Sequence, residues 1–325
     1  MAPVSVSSVR SAKIFVDTWS AGYGSPNSID DAVDEATGEL VPEEGFEFIR
    51  PPLSEDTRPT AFVDGIRRQE AALSLWPNDT VVPGIAGAYA VGAVLVDPDM
   101  PPCFGPVITK RLVIWSAGQT ATLPPTGASW SWETASTPET GPKAALRTLQ
   151  DRMQDAEANL ARTLAANGYD VLTDGTLWAT AGAGQSTITG YVKTHHRRLL
   201  PSEYAQRLPG LPAGMRTTLF STDRRYTCYL RLMEMTPYLA PLAGVVRLEF
   251  SGSLAEARAS ADRYAAMLPR YAGVLHVDPR APQNLQPIGA LETHLRHLLG
   301  DSALAERAVR DAVANQADRE GKNGH

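Results

Sequence analysis

Two apolar runs far apart in the chain each close on aspartate and glycine. One is Thr60-Ala61-Phe62-Val63-Asp64-Gly65, the other Tyr169-Asp170-Val171-Leu172-Thr173-Asp174-Gly175-Thr176-Leu177. A strand that ends in an acid hands a carboxylate to a site at its edge, and glycine lets the backbone turn sharply beside it. Asp-Gly after an apolar run is also ordinary hairpin-turn chemistry, and either copy alone reads more readily as a turn. The functional reading requires an arrangement that brings Asp64 and Asp174 together.

The residues between the two runs narrow that arrangement. Ala61 to Val63 reads as a strand with Asp64 at its end, Ile85 to Val96 as a second, buried strand of small apolar residues, and Val107 to Trp115 as a third. Short connections favour an antiparallel meander. Ser116 to Pro142, rich in Thr, Ser, Pro and Gly, reads as a long loop. Lys143 to Asn167 is the clearest helix, with Leu146, Leu149, Met153, Leu160 and Leu164 at helical spacing and Gly168 to end it. At about 100° per residue, Glu157 falls about 40° from the centre of the apolar stripe, and Asp155 points almost opposite. An acid on the inner face is costly unless it is paired or binds a metal. A satisfied rim carboxylate is the alternative. The order strand-Asp, strand, strand, helix, strand-Asp is the start of an RNase H-like fold, in which the first and fourth strands are neighbours and their acids meet. The expected class is α/β: an RNase H-like mixed sheet flanked by helices, with N-terminal accessory strands.

Charge bears on what such a site can hold. The formal net charge is −6, which counts against a large non-specific nucleic-acid surface and leaves room for a local basic channel. Cys103 and Cys228 form no CxxC or Cys/His zinc pattern, as suits a reducing cytoplasm. No long apolar run follows Met1 to Arg10 and no stretch approaches a membrane span, so neither a signal peptide nor a membrane segment is expected.

Lys13 to Tyr23 reads as a strand, Gly24 to Gly45 as an acidic loop and Phe46 to Ile49 as a short strand. Together they make residues 1–58 an accessory segment, ahead of a main domain over 59–300 and a polar C-terminal helix over 301–325 that frays into a disordered end. Beyond Asp174, Ala179 to Thr187 is a small-residue loop and Gly190 to Val192 a short strand. The strand runs into Lys193-Thr194-His195-His196-Arg197-Arg198, either a solvated loop or a phosphate-binding edge. His195 and His196 are adjacent and cannot form a helical i,i+4 metal pair. Tyr226 to Met233 and Val245 to Phe250 read as strands, Arg247 and Glu249 alternating with apolar neighbours on the second. Leu254 to Leu268 reads as a helix with Ala, Arg and Asp on its outer face, and Leu275 to Val277 as a short strand. A proline-rich loop then leads to a helix from about Ile288 to Leu299, ended by Gly300. Glu292, in its first turns, is favoured there by the helix dipole without further purpose.

Asp174-Gly175-Thr176-Leu177 resembles the nucleophile loop of haloacid-dehalogenase-type phosphatases, Asp-x-Asp-Gly-Thr, but Leu172 stands where the attacking Asp would be, so this reading is rejected. The ordered set Phe62-Val63-Asp64-Gly65, Glu157, Asp174-Gly175-Thr176-Leu177, Gly190-Tyr191-Val192-Lys193-Thr194, Val246-Arg247-Leu248-Glu249, and Pro282-Gln283-Asn284-Leu285 through Ala290-Leu291-Glu292 resembles the NurA nuclease family from about Phe62 to Leu299. The resemblance implies an RNase H-like, usually dimeric, manganese-dependent DNA nuclease. Its family partner is HerA, a hexameric DNA-translocating ATPase, in end processing or phage defence. It maps Asp64, Glu157 and Asp174 onto metal-binding acids. Two positions depart from the pattern. Ile66 follows Asp-Gly where serine is common, and Glu292 and Gln283 stand where archaeal members have histidine and tyrosine. Glutamate suits Mn²⁺ or Mg²⁺, which prefer oxygen.

Phosphodiester cleavage by two divalent ions about 4 Å apart needs a carboxylate cluster to balance their charge. The expected ligands are Asp64, bridging, with Asp174, Glu157 and Glu292. Lys193 is expected to contact the scissile phosphate or orient a nucleophile, and Arg67, Arg247, Gln283 and Asn284 are expected as substrate contacts. The rival reading is a non-catalytic RNase H-like subunit that guides DNA or assembles a translocase complex.

Overall fold

The computed structural model describes residues 13–16, 39–40, 45–52, 58–77, 79–141, 143–177, 187–193, 200–222, 225–234, 241–274, 276–278 and 280–323, with backbone alone for 13–16, 39–40, 222 and 318–323. In chain order the strands are β1 (Lys13–Val16), β2 (Glu39–Leu40), β3 (Phe48–Ile49), β4 (Thr60–Trp76), β5 (Val82–Asp97), β6 (Met100–Trp115), β7 (Glu133–Ser136), β8 (Asp170–Asp174), β9 (Ile188–Val192), β10 (Arg216–Thr217), β11 (Phe220–Thr222), β12 (Arg225–Arg231) and β13 (Val245–Phe250). The α-helices are α1 (Ala144–Ala166), the short α2 (Ser202–Ala205), α3 (Leu254–Met267), α4 (Gln286–Leu299) and α5 (Ser302–Asn323).

At the heart of the sheet the strands run β6-β5-β4-β8-β9. β4, β5 and β6 pair antiparallel, whereas β8 lies parallel to β4 and β9 parallel to β8. That order and polarity are those of an RNase H-like sheet, with α1 as the crossover from β6 to β8. β13 and β12 extend it beyond β9, and β1 and β7 pair with the far ends of β4 and β6.

Alternation sorts the side chains of this sheet. On one face Ala61, Val63, Val91, Val171 and Ile188 pack against α1 residues Leu149, Met153 and Leu160. On the other, Phe62, Ala90, Leu172 and Tyr191 pack against Tyr264 of α3 and Ile288, Leu291 and Leu295 of α4. Small residues on β5 let both helices sit close. A Cβ at Gly87 would meet Leu149 at 2.7 Å, and one at Gly92 would meet Leu295 at 3.1 Å and Leu291 at 3.2 Å.

Several expectations need correction. Asp64-Gly65 is neither a strand end nor a turn: β4 runs on to Trp76, because its partner β5 stays in register past the pair. The third strand begins at Met100 rather than Val107, and the 116–142 stretch carries β7, parallel to β6. On α3, Ala257, Ala261, Arg263 and Ala265 are buried rather than facing out. Val277 lies in a turn, not a strand. The C-terminal segment is helical through Asn323, and its Ala308, Val309 and Ala312 are buried against Leu73, Leu75, Trp115 and Trp132. The expected loop at 179–186, the basic residues 194–198 including His195 and His196, and most of the acidic stretch from 24 to 44 lie outside the described residues.

Candidate active site

β4 and β8 lie side by side with Val63 opposite Thr173, so the next residues along, Asp64 and Asp174, sit beside each other on adjacent strands. Paired strands are about 4.8 Å apart, which puts two carboxylates within reach of one cation. Both share the face of Phe62 and Leu172, towards α4. β8 stops at Asp174, where Gly175 takes φ +102°, a left-handed conformation that glycine adopts freely. Glu292 comes down from α4 onto the same face. Oxygens of Asp64, Asp174 and Glu292 all lie within 4.8 Å of one another, a group that could hold a metal ion.

Glu157 approaches from the opposite face. It sits on α1, and Gly65 leaves the gap it enters: a Cβ at that position would be 2.5 Å from Glu157 Oε1 and 3.0 Å from Val91. Gly65 thus makes room for the carboxylate where it stands; a side chain there would force Glu157 to move. Gly65→Ala is expected to cost about 1–3 kcal/mol of stability and to displace the Glu157 carboxylate. The check is denaturant unfolding of Gly65→Ala against wild type and of Gly65→Ala/Glu157→Ala against Glu157→Ala, where the contact with the carboxylate is absent and only that with Val91 remains. A cost unchanged in the double variant would remove Glu157 as its cause.

The electrostatics follow from crowding. Burial first, and Asp174 next, push the Asp64 carboxyl well above the usual carboxylate range, with Glu157 and Glu292 adding and Lys193 opposing. Glu157 is pushed up to about 8 by burial and then by Asp174, partly offset by the Gly65 N–H. One cation is built in. Lys193 Nζ lies 2.7 Å from Asp174 Oδ2 and donates to Asn284 Oδ1 at 2.6 Å. Burial lowers the pKa of Lys193, but Asp174 and Asp64 outweigh it, so the ammonium is raised above its ordinary value and stays charged. Glu292 is held the other way. Burial alone would raise it, but Arg280, Lys193 and Arg296 keep it below its ordinary value.

A single polar chain ties the loop before α4 to the sheet. Asn284 Nδ2 donates to Asp278 Oδ2 at 2.6 Å, and Arg280 donates to Asp278 and to both oxygens of Glu292, at 2.8 and 2.6 Å. Tyr191, opposite Asp174 on β9, donates its hydroxyl to the Gln283 carbonyl at 2.6 Å. Behind the sheet, Glu249 Oε2 accepts from the Leu177 N–H at 3.1 Å, fastening the turn that follows Asp174. A Cβ at Gly190 would meet the Gly175 carbonyl at 3.0 Å, so β9 presses on the same turn.

No family model and no curated protein matches this chain. Among solved structures, that of the NurA nuclease from Sulfolobus solfataricus has a TM-score of 0.48 to it at 11% sequence identity, over 84% of this chain and 88% of that one. The fold assignment made above rests on strand order and polarity. Among the described residues, no helix is long and apolar enough to cross a membrane.

Of the expected site residues, Asp64, Asp174, Glu292 and Lys193 converge, with Glu157 entering through the Gly65 gap. The expected substrate contacts scatter. Arg67 belongs to the α1 face, and its Nε donates to Gln150 Oε1. Arg247 is 3% exposed and bound to Glu249 Oε1 at 2.8 Å on the face away from the acids. Asn284 is buried, with both ends of its amide engaged by Lys193 and Asp278, so it positions the lysine. Gln283 meets the site through its carbonyl. Glu292 lies in the second turn of α4, where it is buried and ion-paired. Sequence reasoning missed Asp278, Arg280 and Arg296, and assigned Tyr191 and Glu249 no role beyond membership of their motifs. The i,i+4 spacing of Glu292 and Arg296 was a usable signal. Nothing in the sequence pairs Arg280 with Glu292.

Proposed function

We propose that this chain is a metal-dependent deoxyribonuclease, a phosphodiester hydrolase. The observation that carries the reading is the convergence of Asp64, Asp174 and Glu292 on one face of an RNase H-like sheet beside a buried lysine. An all-oxygen donor set suits Mn²⁺ or Mg²⁺. The raised pKa of Asp64 and Glu157 marks a site short of positive charge, so the residues present fit such an ion. Asp64, Asp174 and Glu292 would hold it; Glu157, entering through the Gly65 gap from the other face, is proposed as a further ligand. Bound divalent ions would supply an activated water and draw charge from phosphorus.

The chain's own residues do the rest. Lys193, held by Asp174 and Asn284, presents a fixed ammonium to a phosphate oxygen. Glu157 carries a proton at neutral pH until positive charge draws it off. Tyr191 and Glu249 hold the loop and the turn that aim Asn284 and Asp174. In this reading residues 59–300 are the nuclease domain, flanked by accessory strands and the C-terminal helix. The motif resemblance adds a homodimer and a HerA-type hexameric ATPase as the translocating partner.

The test is cleavage of end-labelled single- and double-stranded DNA with Mn²⁺, Mg²⁺ or EDTA, wild type beside Asp174→Ala, with and without the ATPase. The expected result is metal-dependent cutting that the variant loses. No cutting under any metal, alone or with the ATPase, would leave the chain as an assembly or DNA-guiding subunit.

A further inference from the structure

Glu292 is the one acid of the group whose two oxygens are already taken by cations from the surface. Arg280 bridges both in a fork, at 2.8 and 2.6 Å, and Arg296 adds a third bond to Oε2 at 2.9 Å. A divalent ion on Glu292 would lie against the Arg280 guanidinium, and like charges in contact at a buried carboxylate repel strongly. The ion and the fork therefore compete. The two cations nearest the acids differ in their freedom to move. Lys193 is 16% exposed and fastened by Asn284, whereas the Arg280 side chain is 49% exposed on a turn. Asp278 offers Arg280 a second carboxylate, 3.1 Å from Nη2, to hold after it leaves Glu292. A planar guanidinium grips phosphate in the same two-bond manner as it grips carboxylate. The more buried arginines 247 and 263 are tied to carboxylates elsewhere in the fold.

We propose that Arg280 is a displaceable guard on Glu292: it fills both carboxylate oxygens until a divalent cation takes them, and the released guanidinium then receives a phosphate of the nucleic acid. The inference rests on the metal reading of the site. It makes metal binding and nucleic-acid binding cooperative, because each favours the Arg280 position that the other needs, and the coupling is the same factor in both directions.

The competing account is that Arg280 merely clamps the 278–284 loop to α4. The two accounts differ in the sign of one measurement. Mn²⁺ binding to the full-length chain, without DNA, is followed by titration calorimetry for wild type, Arg280→Gln and Arg280→Lys, with thermal melts in EDTA to establish that each is folded. A guard predicts that Arg280→Gln binds Mn²⁺ at least about fivefold more tightly than wild type. Arg280→Lys, which keeps the charge and loses the fork, falls between. Binding by Arg280→Gln where wild type shows none supports the guard as well. Equal or weaker affinity in Arg280→Gln overturns it. The phosphate half is read separately from a labelled oligonucleotide, with Ca²⁺ as the probe ion. Ca²⁺ raises affinity in both through the ion itself, and wild type gains more than Arg280→Gln because it also frees the guanidinium; an equal gain overturns that half. Mn²⁺ binding by none of the three removes the metal reading and the guard together, an outcome distinct from equal binding by all.

Discussion

Asp64→Asn is expected to lose metal-dependent DNA cleavage by about three orders of magnitude or more, and at the same time to make the metal-free protein more stable. The two effects have one cause. Asp64 is 7% exposed on the face it shares with Asp174 and Glu292, and burial followed by Asp174 opposes its ionisation. In the absence of a cation its charge is a liability. Asparagine keeps the oxygen that accepts the Gly65 N–H at 2.8 Å and removes that charge. The melting temperature in EDTA should rise by a few degrees, while Mn²⁺ no longer raises it as it does in wild type. A variant that is less stable than wild type in EDTA would show that Asp64 is held by the fold and not crowded by it. A variant that still cuts with Mn²⁺ would remove Asp64 from the site.

The second large effect is on pH. Glu157 holds its proton up to about 8 in the folded chain, against an ordinary value of 4.5. Between those values the folded state binds more protons than the unfolded state, so stability falls as pH rises and levels off above about 8. The shift corresponds to a loss on the order of a few kcal/mol from pH 5 to 8. Asp64, also raised, acts in the same direction. Urea unfolding at pH 5 and pH 8 in EDTA measures the drop, and Glu157→Gln should flatten it. Mn²⁺ at about a hundred times its Kd should return about 2.7 kcal/mol at pH 8 if it binds only the folded chain. Stability that is flat or rises between pH 5 and 8 would contradict the burial of the Glu157 carboxyl near the other acids.

Much of this was legible along the chain because it is local. Apolar runs, the Leu146 to Leu164 stripe and the glycines at 168 and 300 mark elements whose cause lies within a few residues. The order of those elements was enough for the sheet: a meander followed by a helix and a strand has few ways to close, and β8 does lie beside β4. The angle of Glu157 on its helix was readable for the same reason.

What went astray depended on partners distant in sequence. Asp64-Gly65 has the chemistry of a turn, and only pairing with β5 holds it inside a 17-residue strand. Gly65 is there to admit a carboxylate from α1, a reason found some ninety positions away. Arg247 is expected at the substrate, and the packing of the sheet buries it, with Glu249, on the face away from the acids. Arg280 was unremarked in a proline-rich loop, and the fold lays it across Glu292. The sequence alone determined which acids belong to β4, β8, α1 and α4, and in what order those elements occur. Tertiary structure alone decided that Lys193 and Arg280 meet them, since a charge partner from another element depends on packing between elements that local propensity does not encode.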